Sequence, residues 1–165
     1  MTFSVNSSTI GVNLGDSDGA TALFGLSSTV MGSQDSEWMY VCAAVALSTG
    51  MPVMINSSGT ASILAGSLST SSTGKQIAFA QGVFAASDYG WVARRGNGIY
   101  VKVSSVSTVA VILYTNDGGS GGLTTTTATC TIAGISLITA SSTGVSSAVP
   151  AFVSWPRLVT TPLIV

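Results

Sequence analysis

The sequence has no histidine and very few charged residues. Its 165 residues include 5 Lys and Arg and 6 Asp and Glu, so 7% of the chain is charged, whereas an ordinary soluble domain is roughly 25% charged. Without histidine, the chain cannot build a Ser-His-Asp or Cys-His catalytic centre or a histidine metal site. The net charge of −1 and the pI near 4.9 provide no basic surface for nucleic acid, so no nucleic-acid partner is expected.

The sequence also lacks a long apolar run. The longest, Trp38 to Leu47, is ten residues, against about 20 for a helix that spans a bilayer. The opening stretch MTFSVNSSTIGVNL has neither a basic nor an apolar region of the secretory type, so no signal peptide or membrane partner is expected. Mean hydropathy is nevertheless high, at +0.58. Because a surface poor in charge is weakly protected against association, we expect other protein to cover much of it.

Cysteine is scarce as well. Cys42 and Cys130 lie in separate apolar runs, and their spacing matches no disulfide framework and no zinc site. They are predicted to be two buried free thiols, with a disulfide between them as the alternative.

The few carboxylates predict no catalytic site. Asp16 and Asp18 resemble the start of a calcium loop, but Gly25 stands where that loop needs a carboxylate, so a plain turn is favoured and calcium is left open. Asp35 and Glu37 lie two residues apart, which suits a solvated turn better than two acids facing each other across a cleft. We therefore expect no enzyme, no metal and no cofactor, and a β-rich hydrolase is the weakest alternative.

Apolar residues that are present alternate with a period of two almost everywhere, which predicts strands. The fold class predicted is all-β, an antiparallel sandwich or barrel of short strands, in a single domain over 1–165 with room for a small N-terminal β lobe. The Gly-rich segment near 116–127 is read as a surface loop, with a lobe boundary as the alternative. Ser-Thr-Gly turns recur at unequal spacings, so no structural repeat is predicted. The predicted strands lie near 20–25, 37–47, 51–55, 60–64, 76–84, 89–95, 99–103, 108–114, 128–139, 145–154 and 157–164.

The stretch DYGWVARRGNGIYVKV, residues 88–103, gathers four of the eleven charged residues. A hairpin with a three-residue loop at 96–98 puts Trp91, Ala93, Ile99, Val101 and Val103 on one face and Val92, Arg94, Tyr100 and Lys102 on the other. A two-residue turn would mix the two sets, so the three-residue loop is predicted. The polar face, with Arg95 at its rim, either keeps an edge soluble or docks an acidic partner. The candidate docking residues are Arg94, Arg95, Tyr100 and Lys102.

Three segments together resemble small β-rich proteins of tailed-bacteriophage heads. These are residues 22–55, 77–103 and 131–158, and the most specific parts are the Tyr-Gly-Trp-Val stretch at 89–92 and the Trp-Pro-Arg stretch at 155–157. The resemblance is to capsid decoration, or head cement, proteins, and it covers most of the chain.

This resemblance implies a structural virion protein. Such a protein is made in the host cytoplasm, sits on the exterior of the capsid, often as a homotrimer, and bridges subunits of the major capsid protein. The family carries no catalytic residues, so none is transferred to this chain. The alternative is a fibre or adhesin module of the virion that binds a host glycan, for which Trp38 or Trp155 would supply an exposed aromatic platform.

Overall fold

Every regular element of the described chain is a β-strand. The computed structural model describes residues 14–64, 76–104, 106–109, 112–115, 121–125, 130–141 and 146–160. No helix among these residues is long and apolar enough to span a bilayer. The eleven strands seen there are β1 (Ser17–Gly19), β2 (Thr29–Met31), β3 (Glu37–Ala43), β4 (Pro52–Ile55), β5 (Thr60–Ile63), β6 (Gln76–Ala80), β7 (Tyr89–Val103), β8 (Leu113–Thr115), β9 (Leu123–Thr124), β10 (Cys130–Leu137) and β11 (Ser147–Thr160).

The all-β prediction is confirmed, and several strand predictions are wrong. Residues 20–25 form turns and coil between β1 and β2. The predicted strands 89–95 and 99–103 are one continuous strand, and the described residues of 145–154 and 157–164 lie together in a second, Ser147–Thr160. Most of the suggested lobe boundary at 116–127 lies outside the described residues.

The described strands close into two rings that share β7. Ring one runs β3–β7–β6–β4–β5 and returns to β3, and ring two runs β7–β11–β10–β8–β9 and returns to β7. Each ring is antiparallel except at one contact, β3 with β5 in ring one and β7 with β9 in ring two. β7 can serve both rings because it is 15 residues long: its first half pairs with β3 and β6, and its second half with β11 and β9.

The two rings are structural repeats of each other. The strands of each ring can be numbered one to five in chain order, β3 to β7 in ring one and β7 to β11 in ring two. In both rings, strand one pairs with five, five with four, four with two, two with three, and three pairs in parallel with one. The registers also agree. The equivalent pairs, ring one first, are Met39–Val92 and Ile99–Ala151, Tyr40–Trp91 and Tyr100–Pro150, Phe79–Ala93 and Ser136–Phe152, Ala43–Ala61 and Val103–Leu123, Ile55–Ala61 and Thr115–Leu123, and the isolated bridges Leu47–Phe84 and Ser107–Ser141. The expectation of no repeat is therefore wrong.

Each ring is filled by one face of its five strands. Met39, Val41, Val53, Ala78 and Val92 belong to the cluster inside ring one. The second cluster joins the inside of ring two to the outer face of ring one, because Trp91 and Ala93 from the first half of β7 and Ile99, Val101 and Val103 from its second half all belong to it. The strands between the two clusters are buried on both faces.

The interiors of the two rings carry their large and small side chains at different equivalent positions. At the bridge between loops, ring one has Leu47 and Phe84 where ring two has Ser107 and Ser141. Elsewhere the order is reversed, since ring two has larger residues at positions where ring one has alanine. Because a protein interior is close-packed, a large residue at one position has to be offset by a small one at another. The reversed positions, ring one first, are Ala43 and Val103, Ala61 and Leu123, and Ala80 and Leu137.

The predicted hairpin at 96–98 is wrong, and its physical reason is local. Gly96 and Gly98 have φ of 143° and 76°, but these positive angles form bulges inside β7 instead of a chain reversal. One extra residue is accommodated against β3 between Ala93 and Arg95, and another against β11 between Asn97 and Ile99. The predicted apolar set still faces one core, because each bulge shifts the alternation by one residue and the two shifts cancel between Ala93 and Ile99.

Candidate functional site

Arg94 and Arg95 each pair with a carboxylate at the start of β3. Arg94 Nη1 lies 3.4 Å from Glu37 Oε1, and the two side chains are 18% and 17% exposed. Arg95 donates a hydrogen bond to Asp35 Oδ2, and this pair is more open to solvent. The register brings these groups together, because Glu37 lies opposite Arg95 in the ladder between β3 and β7 and Arg94 is the extra residue beside it. Asp35 lies in an exposed turn as predicted, but Glu37 begins β3, and both carboxylates are ion-paired.

Arg95 also stacks on Trp155. Its Cζ atom lies 4.7 Å from the centroid of the indole ring, which is the geometry of a cation–π contact. Trp155 is 49% exposed and has φ of 40°, a left-handed conformation that is a genuine outlier for a bulky residue. We call the group Asp35, Glu37, Arg94, Arg95 and Trp155 the Arg95–Trp155 corner.

A large bulge in β11 holds Trp155 in this position. Ala133 pairs with Arg157 and Ile135 pairs with Val153. Between these two pairs β10 has only Gly134, whereas β11 has three residues, so β11 bulges at Trp155. Gly134 makes room for the bulge: a Cβ there would lie 2.5 Å from the Ser154 carbonyl oxygen. Strained backbone of this kind persists only where the surrounding structure enforces it, and it clusters at functional sites.

Tyr100 and Lys102 do not share a surface with the two arginines. The backbone of Tyr100 is bonded to the Gln81 side chain, and the Lys102 backbone N–H donates to Gly50 O at 2.7 Å. Lys102 Nζ lies 3.4 Å from Ser48 Oγ, so its ammonium group is directed at a turn of ring one. Both side chains are half-buried, and it is the backbones of the two residues that join the rings.

The predicted polar face is therefore divided in two. Arg94 and Arg95 belong to the Arg95–Trp155 corner, whereas Tyr100 and Lys102 lie further along β7, where their backbones join the two rings. The positive charges of the corner are locally balanced by Asp35 and Glu37, so this surface offers no net charge to an acidic partner. A neutral aromatic and guanidinium surface is what the geometry provides.

Asp18 has a partner inside the protein. Tyr40 Oη donates to Asp18 Oδ2 at 2.7 Å and accepts from the Leu23 N–H at 3.0 Å. Burial raises the pKa of Tyr40 above its usual value of 10.0, and the hydrogen bond to Asp18 and the charge of that carboxylate raise it further. Within the described ranges, no group of three or more His, Cys, Asp or Glu side chains is arranged to hold a metal ion.

The tryptophans differ in what they can contact. Trp38 is fully buried in the core and donates through Nε1 to Ser36 Oγ at 2.8 Å, so it cannot serve as a surface platform. Trp155 is the candidate that stays exposed. Cys42 and Cys130 are both free thiols; Cys130 is buried as predicted, but Cys42 is only half-buried.

Sequence reasoning missed a second surface, which lies on the outside of ring two. Tyr100 faces Pro150 across the strand pair, and Ile138 donates its N–H to Pro150 O at 3.0 Å. Phe152 lies on the same face of β11, two residues from Pro150. Ile138 and Phe152 are 48% and 49% exposed. We call Tyr100, Ile138, Pro150 and Phe152 the outer wall of ring two; the alternation of β11 was readable in the sequence, but which face lies outward was not.

No family model matches the chain, and neither a curated protein nor a solved structure is significantly similar to it.

Proposed function

We propose that this chain is a structural virion protein that binds the outer surface of a phage capsid and cements subunits of the major capsid protein, acting as a homo-oligomer, with a trimer as the expected form. The observation that carries the proposal is Trp155, held half-exposed by a strained bulge and braced by Arg95. Tryptophan and arginine are the residue types most enriched among the energetic hot spots of protein interfaces.

The chemistry of the surface supports a protein partner. The chain is 7% charged, and the charges of the Arg95–Trp155 corner are paired within the molecule. Charged residues are depleted in the centres of interfaces, whereas aromatics and arginine are enriched there. The resemblance to decoration proteins points the same way, because one of its most specific motifs, Trp155-Pro156-Arg157, contains the exposed tryptophan of the bulge.

A glycan is the second candidate partner, and Trp155 alone favours it. An aromatic ring with one accessible face, next to a carboxylate and a guanidinium, is suited to stack on a sugar and bond its hydroxyls. This alternative would make the chain a virion adhesin module. Trp38, the other tryptophan considered as a glycan platform, is buried.

The experiment incubates the purified protein with capsids stripped of decoration proteins and measures co-sedimentation at increasing protein concentration. Saturable binding with a fixed number of copies per capsid supports cement. A parallel arm presents the protein to an array of neutral glycans. Glycan binding without capsid binding would replace the proposal by the adhesin, and failure to bind either would overturn both.

A further inference from the structure

The outer wall of ring two has a counterpart in ring one that is completely covered. Tyr40 and Trp91 occupy the positions of Tyr100 and Pro150, and the pair Phe79–Ala93 occupies those of Ser136–Phe152. Tyr40, Phe79 and Ala93 are fully buried and Trp91 is 3% exposed. Ser136 and Phe152 are both exposed. The same wall of the same fold is thus closed in one repeat and open in the other.

The wall of ring one is closed by the chain itself. The ring of Phe24 lies edge-on at 5.3 Å from both Tyr40 and Trp91, and Leu14 joins the same cluster. The second half of the chain covers the remainder, since Ala151 and Val153 belong to that cluster too. The surface that covers this wall is therefore largely apolar, with the Asp18 carboxylate bonded to Tyr40 Oη at its edge.

We infer that the outer wall of ring two, Tyr100, Ile138, Pro150 and Phe152, is the surface through which one copy of this chain binds a second copy. None of the four wall residues is charged, and Lys102, which follows Tyr100 on the same face of β7, directs its ammonium group at Ser48. The whole chain carries a net charge of only −1, so two copies do not repel each other strongly. The contact repeats between molecules the kind of apolar packing that already joins the two rings within one molecule. The inference rests on the oligomeric part of the proposed function and is independent of what the Arg95–Trp155 corner binds.

The test measures mass by size-exclusion chromatography with light scattering at micromolar concentration. We expect the wild-type protein to give a multiple of 16.5 kDa. Phe152→Asp places a charge in the wall and should weaken self-association at least tenfold. Val83→Asp is the matched control, because Val83 is 71% exposed and belongs to the segment between β6 and β7, not to the four residues of the wall. It should self-associate like wild type.

Thermal melting of both variants establishes that they are folded. A wild-type monomer, or a folded Phe152→Asp variant that associates as well as wild type, overturns the inference. If the wild type is monomeric and Phe152→Asp loses only capsid binding, the wall binds capsid and the assigned occupant is wrong. If the wild type is oligomeric but does not bind capsids, the inference stands and the capsid function fails. For a wall variant that does not fold, Ile138→Asp replaces it in the same comparison.

Discussion

The side chain of Gln81 pairs with the backbone of Tyr100 as a neighbouring strand would. Gln81 Nε2 donates to Tyr100 O at 3.0 Å, and the Tyr100 N–H donates to Gln81 Oε1 at 2.9 Å. Gln81 follows β6 of ring one, whereas Tyr100 lies in the half of β7 that builds ring two. One buried amide therefore completes the hydrogen bonding of β7 where it passes from one ring to the other.

Gln81→Leu should destabilise the fold because it leaves two backbone groups of Tyr100 without these partners. The expected loss in the free energy of unfolding is about 1–3 kcal/mol. Denaturant unfolding measures it, and Gln76→Leu is the control, since Gln76 is exposed at the start of β6. Equal stability of the two variants would mean that the amide does not join the rings.

Gly134→Ala should also destabilise, by about 2 kcal/mol or more. Gly134 has φ of 87°, and a Cβ would meet the Ser154 carbonyl oxygen, which is backbone and cannot move aside cheaply. Because the same carbonyl belongs to the bulge that carries Trp155, the fluorescence of that residue should change as well. Gly25→Ala is the control, as a Cβ at Gly25 meets only Ser28 Oγ at 3.4 Å; a smaller loss at Gly134 than at Gly25 would refute this account of the bulge.

The raised pKa of Tyr40 predicts a loss of stability at alkaline pH. Between pH 10.0 and the raised value, folded Tyr40 keeps a proton that the unfolded chain has released, so the free energy of unfolding falls as pH rises through this window. Tyr40→Phe should remove this part of the pH dependence. At neutral pH it should cost about 1 kcal/mol, through the lost hydrogen bonds to Asp18 and Leu23. A variant with the same alkaline slope as wild type would contradict the assignment.

The two thiols should differ in reactivity. Cys42 is half-buried and Cys130 is buried, so alkylation of the native protein should label Cys42 first and Cys130 only on unfolding. Replacing either by alanine should cost about 1–2 kcal/mol through lost packing. Mass spectrometry of the intact protein checks the order of labelling, and a disulfide between the two residues would contradict it.

The sequence was sufficient to predict the all-β class and which apolar residues of β7 face the core, because alternation along one strand is a local property. It could not show that β7 is shared between rings, since closure depends on contacts between residues distant in sequence, such as Val103 with Leu123. The repeat leaves only a faint trace, with Met39-Tyr40-Val41 matching Ile99-Tyr100-Val101. The glycines at 96 and 98 were interpreted as a hairpin because bulges and tight turns both use positive φ.

The candidate site was predicted in part for the same reason. Arg95 was found because paired arginines stand out in a charge-poor chain. Its contacts with Asp35 and Trp155 join segments that are far apart in sequence, and no local pattern predicts them. Since these contacts neutralise Arg95, capsid binding should depend only weakly on salt, whereas docking through free positive charges would be screened.

The most direct test of the central claim is the occupancy of decoration-free capsids at limiting protein concentration. The double variant Arg95→Ala/Trp155→Ala should lose about 2 kcal/mol of binding free energy or more, roughly a thirtyfold loss of affinity, with melting established separately. The charge-matched variant Lys102→Ala, whose ammonium group is directed at Ser48 outside the corner, should retain occupancy close to wild type. Occupancy by a folded Arg95→Ala/Trp155→Ala variant equal to that of wild type, or a wild-type protein that does not bind capsids, would contradict the account.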